Sequence, residues 1–185
     1  MDTKKGTIQE RLDKAIRKIP DFPKPGILFY DLTGILMNPS VYQECLHALK
    51  EHVFQLQGNA LAAIEARGFL FASPLAFQLG LPLILVRKKG KLPGKTISQI
   101  FDLEYGTDTI EVHQEDVRPE FRVVLVDDLI ATGGTLKAAI SLIEEAGSKV
   151  VGVVSVVGLP FLRFREKLGN LPVHTLIEYH TEKTS

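Results

Sequence analysis

Apolar residues recur along this chain in two rhythms, one helical and one strand-like, separated by short polar breaks. Ile8, Leu12, Ala15, Ile16 and Ile19 share one face at helical spacing. Thr7 followed by Glu10 has the capping-box arrangement, so the pattern predicts a helix from Thr7 through Ile19. Pro20, Pro23, Pro25 and Gly26 then forbid regular structure and predict an extended segment. After Asn38-Pro39 a second helix is expected over residues 40–56.

Beyond that point short apolar runs alternate with helical stretches. Runs at 60–64, 83–86, 123–126 and 150–157 predict strands, and the stretches 68–79 and 135–146 predict helices, the latter stopped by Gly147. A short helix near 162–168 and a strand near 173–177 complete the pattern. Runs such as Val123-Val124-Leu125-Val126 lack polar alternation and suit strands buried on both faces, as in parallel sheets. The expected class is α/β: a central, mainly parallel sheet flanked by helices with right-handed crossovers. Residues 88–120 break the rhythm. They are polar, carry Gly90, Pro93, Gly94 and Gly106, and are too long for a simple connection.

Composition narrows the class. The 185 residues fit one domain spanning 1–185, and 45% hydrophobic with 24% charged residues is a globular balance rather than a disordered one. Lys and Arg number 22 and Asp and Glu 22, so the net charge is zero. That balance argues against a protein held to nucleic acid through phosphates. The lone Cys45 is expected as a buried hydrophobe on a helix, in a reducing cytoplasm. A polar start without an apolar core predicts no signal peptide, and the apolar stretch 150–162 is too short to span a membrane. A soluble cytoplasmic protein is expected, with no membrane or nucleic-acid partner. The five histidines show no metal-ligand spacing, and no site for a protein-held metal is read.

The richest chemistry lies in Val123-Val124-Leu125-Val126-Asp127-Asp128-Leu129-Ile130-Ala131-Thr132-Gly133-Gly134-Thr135. A buried strand delivers two carboxylates at its carboxyl end, where open α/β sheets bind ligands. Next comes a turn of small residues opening a helix. Amides of Gly133 and Gly134, hydroxyls of Thr132 and Thr135, and the helix start suit a phosphate. Asp127 and Asp128 suit the vicinal diol of a ribose or a divalent cation. The pattern thus points to a ribose 5-phosphate site; a plain strand-turn-helix with an Asp-Asp turn is the alternative, made costly by two buried acids. Neither G-x-x-x-x-G-K-[ST] nor G-x-G-x-x-G occurs.

This segment resembles the phosphoribosyl pyrophosphate (PRPP) motif of type I phosphoribosyltransferases. Four further blocks resemble the adenine branch of that family: Asp21-Phe22-Pro23-Lys24-Pro25-Gly26-Ile27-Leu28-Phe29, Glu65-Ala66-Arg67-Gly68-Phe69-Leu70-Phe71, Arg87-Lys88-Lys89-Gly90-Lys91-Leu92-Pro93-Gly94 and Leu103-Glu104-Tyr105-Gly106. The resemblance implies the type I fold, with an N-terminal helix and hood over about 1–35 and a flexible catalytic loop over about 88–106. It implies transfer of phosphoribosyl from PRPP to adenine, giving AMP and pyrophosphate in purine salvage. Another purine base, or a PRPP-sensing regulator, are the competing readings.

Residue by residue, the resemblance places Glu104 as the catalytic acid-base group on the purine. PRPP or AMP falls to Asp127, Asp128, Ala131, Thr132, Gly133, Gly134 and Thr135, with Arg67, Arg87 and Lys91 on pyrophosphate and Tyr105 as a lid. Adenine falls to Leu28, Phe29, Tyr30 and Leu129. The resemblance also implies a non-proline cis bond at Glu65–Ala66, Mg2+ held mainly through the substrate, and a homodimer in which Arg87 serves the neighbouring site. The chain departs from the family at Tyr30, where adenine-specific members commonly carry arginine, and at Gly34.

Overall fold

The computed structural model describes residues 6–102 and 106–181. The chain opens with α1 (Ile8–Ala15), capped reciprocally by Thr7 and Glu10 as expected. The helix stops at Ala15 rather than Ile19. Ile16 is already extended, and Arg17–Pro20 forms strand β1, paired antiparallel with β2 (Leu28–Asp31). Proline at 20 disfavours helical backbone at Ile19, and Ile19 is left exposed at the edge of the hairpin. Asp31 accepts from the Thr33 amide and hydroxyl and pairs with Arg17, fixing the hairpin to the short α2 (Thr33–Leu36).

The α/β body follows: α3 (Pro39–Leu56), β3 (Ala60–Ile64), α4 (Arg67–Leu79), β4 (Leu83–Lys88), β5 (Thr96–Asp102), β6 (Thr107–His113), β7 (Arg122–Ile130), α5 (Gly134–Glu145), β8 (Lys149–Gly158), α6 (Phe164–Leu168) and β9 (Val173–Glu178). Among the described residues seven strands form one sheet in the order β5-β6-β4-β3-β7-β8-β9. The five strands from β4 through β9 in that order are parallel, while β6 and β5 add antiparallel at the β4 edge. Strand β5 falls inside the interval expected as a flexible loop, about 88–106, and β6 follows just beyond it. The signal of β5 is period-two alternation, with Ile97 and Phe101 turned to the core and Ile100 exposed, rather than a continuous apolar run.

Both faces of the central strands are covered. Val124 and Val126 pack with Leu49, Phe71 and Leu75 beneath α3 and α4, whereas Val123 and Leu125 pack with Leu142, Ile143 and Phe164 beneath α5 and α6. Cys45 lies fully buried in the first of these cores. The chain moves to opposite sides of β3 for β4 and β7, so the order reverses there. A crevice opens at that switch, outside the carboxyl ends of β3 and β7.

Candidate active site

Strand β7 carries Asp127 and Asp128 into the crevice. Asp128 is 3% exposed. Arg67, at the first turn of α4, brings its Nε to 2.8 Å from Asp128 Oδ2. This is an ion pair without hydrogen-bond alignment, since Oδ2 is buried and has no hydrogen-bond partner. Asp127 receives the Asp128 amide on Oδ1 at 2.9 Å. Burial, followed by the neighbouring Asp128 charge, pushes Asp127 well above the usual carboxylate range. Burial also raises Asp128, with the Arg67 charge opposing it. Asp128 is buried and Asp127 half-buried, and two acids so placed side by side hold a proton more tightly than exposed ones until something polar arrives to share them.

Two helix starts converge on these carboxylates, and neither α4 nor α5 has a side-chain cap, in contrast to α1 and α3. Their first amides are therefore left to a ligand or to water. Two glycines permit the approach. A Cβ on Gly68 would stand 3.1 Å from the Val126 carbonyl and 3.2 Å from Asp127 Oδ1. Gly133 has φ +77° and would press Phe164 if it carried a side chain. Between β7 and α5, residues Ala131, Thr132, Gly133, Gly134 and Thr135 line a small cradle of about 110 Å³.

On the β3 side lies a polar recess of about 310 Å³, lined by Glu65, Ala66, Arg67, Lys88, Asp108, Asp127, Asp128 and Thr135 among others. The Glu65–Ala66 bond is cis, as the resemblance implies. On the β8 side lies an apolar recess of about 270 Å³, close to the lower bound of about 300 Å³ for small-ligand sites. Its walls are Ile27, Leu28, Phe29 and Tyr30 from the hairpin, Leu129 and Ala131 from β7 and its turn, and Leu159, Phe161 and Leu162 beyond β8. Phe29 packs edge-on against Phe22, with the Arg67 guanidinium 5.6 Å from its ring centre.

The structure thus gathers Asp127, Asp128, Ala131, Thr132, Gly133, Gly134, Thr135 and Arg67 in one crevice, with Leu28, Phe29, Tyr30 and Leu129 beside it. Arg87 and Lys91 stand apart. Arg87 donates to Glu65 at 2.7 Å and to the Lys91 carbonyl at 3.1 Å, and neither residue lines these recesses. Glu104 and Tyr105 lie outside the described residues.

Sequence reasoning passed over Asp108, Glu111 and the residues beyond β8. Asp108 pairs with Lys88 at 3.0 Å at the lip of the polar recess. Glu111 is buried and accepts from the amides of Lys91 and Leu92 and from Thr96, which holds the turn after β4 in shape. Burial opposes its charge, but those bonds outweigh it and lower its pKa. A carboxylate between Ile110 and Val112 was the available signal. For Leu159, Phe161 and Leu162 the signal was weaker, because the first two read as the end of the apolar stretch 150–162 and the third as the start of a short helix.

Comparison with known proteins agrees with this geometry. The phosphoribosyl transferase domain profile matches residues 31–167. The chain belongs to the phosphoribosyltransferase family, in its type I form. The relatives narrow the branch to adenine phosphoribosyltransferases. It is 60% identical over 172 residues to the adenine phosphoribosyltransferase of Treponema denticola, covering 93% of this chain and 90% of that one. To adenine phosphoribosyltransferase 1 of Triticum aestivum it is 48% identical, covering 91% and 93%. A crystal structure of the Thermoanaerobacter pseudethanolicus adenine phosphoribosyltransferase superposes with TM-score 0.90 at 43% identity, covering 94% and 100%. The Saccharomyces cerevisiae enzyme, complexed with an imino-altritol bisphosphate and adenine, superposes with TM-score 0.87 at 37% identity, covering 92% and 98%.

Proposed function

We infer that this chain transfers the 5-phosphoribosyl group of PRPP to adenine, forming AMP and pyrophosphate in purine salvage. One observation carries the reading: the apolar recess and the phosphate cradle meet at Leu129 and Ala131, and Arg67 borders both the apolar and the polar recess. A flat apolar base and a charged sugar phosphate thus have adjoining places on one strand end.

In this reading the 5-phosphate sits on the amides and hydroxyls of 131–135. The ribose diol hydrogen-bonds to Asp127 and Asp128, whose Oδ2 is ion-paired with Arg67 but receives no aligned hydrogen bond among the described residues. Pyrophosphate lies on the Glu65–Gly68 turn against Arg67. The bond from the anomeric carbon to the pyrophosphate oxygen breaks, a bond to a purine ring nitrogen forms, and that nitrogen loses its proton to Glu104. Leu28, Phe29, Tyr30 and Leu129 hold the base, with backbone groups of Leu28 and Tyr30 reading its edge. Tyr105 covers the PRPP.

Mg2+ fits this site as a substrate-borne ion. Among the described residues no cluster of three His, Cys, Asp or Glu can hold a metal, yet two adjacent carboxylates face the recess. When bound, it would neutralise the departing pyrophosphate. A homodimer is also proposed. It is supported by Phe77 and Leu70, left 88% and 44% exposed on one side of α4, and by Arg87 and Lys91 standing away from this chain's own recesses. A cytoplasmic location is proposed, consistent with the lone buried thiol of Cys45 and with the absence, among the described residues, of a helix long and apolar enough to cross a membrane.

The test is to incubate the purified protein with PRPP and Mg2+ and to offer adenine, hypoxanthine, guanine and xanthine separately. AMP from adenine alone is expected. Equal turnover of a 6-oxopurine would reassign the base, and no turnover with any base would overturn the enzyme reading.

A further inference from the structure

The wall of the apolar recess contributed by β2 meets the core only through buried Tyr30 and partly buried Leu28. The β1–β2 hairpin is a two-stranded sheet, β1 is exposed at every position, and Phe22 and Ile27 beside it are exposed as well. Such a hairpin is marginal without a further partner. It is nonetheless the segment that supplies Leu28, Phe29 and Tyr30.

Its partner is a side-chain cluster lying behind the recess. Tyr30 is 4% exposed, and its ring stacks on that of Tyr179 with centroids 4.3 Å apart and planes 19° from parallel. The Tyr179 hydroxyl donates to Asp13 Oδ1 at 2.6 Å. Lys18 places its Nζ 2.7 Å from the same oxygen and 5.0 Å from the centre of the Tyr179 ring. Lys18 is also the cross-strand partner of Tyr30. The Tyr179 amide donates to the Gly158 carbonyl at 3.1 Å, one residue before Leu159, which forms the opposite wall. Tyr179 therefore touches the supports of both walls while lining neither.

We propose that Tyr179, Asp13 and Lys18 form a clasp that positions the β2 wall, through Tyr30, and so sets the affinity of this site for its base. The three are positioning residues. This rests on reading the apolar recess as the adenine site. The Lys18–Asp13 pair is half exposed and contributes little as an ion pair alone. Its role is to hold the carboxylate that aims the Tyr179 hydroxyl, and so to fix the ring face presented to Tyr30. Burial favours neutral Asp13, but the bonds from Lys18 and Tyr179 outweigh it and lower its pKa, so the acceptor is ionised at neutral pH.

The test uses the full chain, with adenine and PRPP varied separately. Tyr179→Phe keeps the ring and removes only the hydroxyl. Asp13→Asn keeps an acceptor oxygen and removes the charge. Each is expected to raise KM for adenine roughly three- to tenfold, the net weight of about one ordinary hydrogen bond, because the clasp acts on the base only through Tyr30, with KM for PRPP and kcat within about twofold. Tyr179→Ala also loses the stack and is expected to exceed both. Equal rises in both KM values, or no change for adenine, would overturn the clasp. Amide exchange at residues 28–31 gives a second readout free of turnover: it should accelerate in Tyr179→Phe, and unchanged exchange would overturn the clasp whatever the base. Wild-type protein that turns over no adenine, yet loosens at 28–31 on Tyr179→Phe, would overturn the base assignment and leave the clasp standing.

Discussion

The two sides of the β7 strand end are built by different means. On the β3 side and at the turn into α5, the crevice is made of main chain: uncapped helix starts, a cis peptide and glycines that admit close approach, with two carboxylates set between. On the β8 side the recess is made of side chains drawn from three separate stretches, 27–30, 129–131 and 159–162, with Arg67 at its border. The first surface is rigid because the sheet and two helices fix it. The second depends on how a small hairpin is held against the sheet. Charged phosphates tolerate no misplacement of donors, which suits main-chain construction. A flat apolar base is recognised by packing, which several segments can supply together. The lesson is that binding of the two substrates should be separable by mutation.

Glu104→Gln tests the chemistry that joins the two sides. Loss of a positioned proton donor and acceptor is expected to lower kcat by roughly a hundredfold to ten-thousandfold, with PRPP affinity nearly unchanged. Steady-state kinetics and PRPP titration check it, and equal loss of both would assign Glu104 a structural role.

Asp127→Asn should break the polar side alone. KM for PRPP is expected to rise about tenfold or more while KM for adenine stays put, because one charge-assisted pair of hydrogen bonds to the diol is weakened. The same change should raise the melting temperature at neutral pH. The folded carboxyl titrates well above its ordinary value, so the folded state binds the extra proton and stability falls as pH rises from about 3.8 through that raised pKa. Above that window the wild type bears the cost of a half-buried charge set beside Asp128, and asparagine removes it. A melting temperature that falls instead would show that the charge supports the fold.

Phe161→Ala should break the apolar side alone. Removing one wall of the recess is expected to raise KM for adenine roughly three- to tenfold without moving KM for PRPP, and stability should fall by about 1 kcal/mol, since Phe161 is only partly buried. A parallel rise in the PRPP constant would show that the two sides are coupled through Leu129.

Acid titration gives the smallest effect and bears on the clasp behind the apolar recess. Asp13 is lowered in the folded state, so its contribution is complete above about pH 4 and is lost as pH falls through its folded pKa. Comparing acid melts of wild type and Asp13→Asn should show curves that converge as pH falls below the ordinary carboxylate value of 3.8 and through the lowered folded pKa. Constant separation across that range would remove Asp13 from the clasp.

The polar side was legible in the sequence because it is nearly contiguous. A buried strand, two acids and a small-residue turn into a helix state their geometry within thirteen residues, and Glu65 to Gly68 repeats the device after β3. The apolar side was legible only in part. Leu28, Phe29, Tyr30 and Leu129 were anticipated through resemblance, but Leu159, Phe161 and Leu162 were not, as nothing local distinguishes a recess wall from a packed turn. Strand β5 was hidden for a different reason, since an edge hairpin packs on one face and lacks the unbroken apolar run of its neighbours.

What the chain determined by itself is therefore whatever depends on short-range chemistry. Periodicity set the helices and buried strands, proline and glycine set the breaks, and adjacent acids beside a flexible turn set the phosphate end. Tertiary structure decided what depends on meeting across distance: that Arg67 would face Asp128, that Arg87 would turn to Glu65, and that Tyr30 would stack on a tyrosine 149 positions away and be steadied by Asp13. Backbone conformation is a local property of neighbouring residues, whereas a side-chain contact belongs to the packing of the whole sheet, and no stretch of sequence contains it.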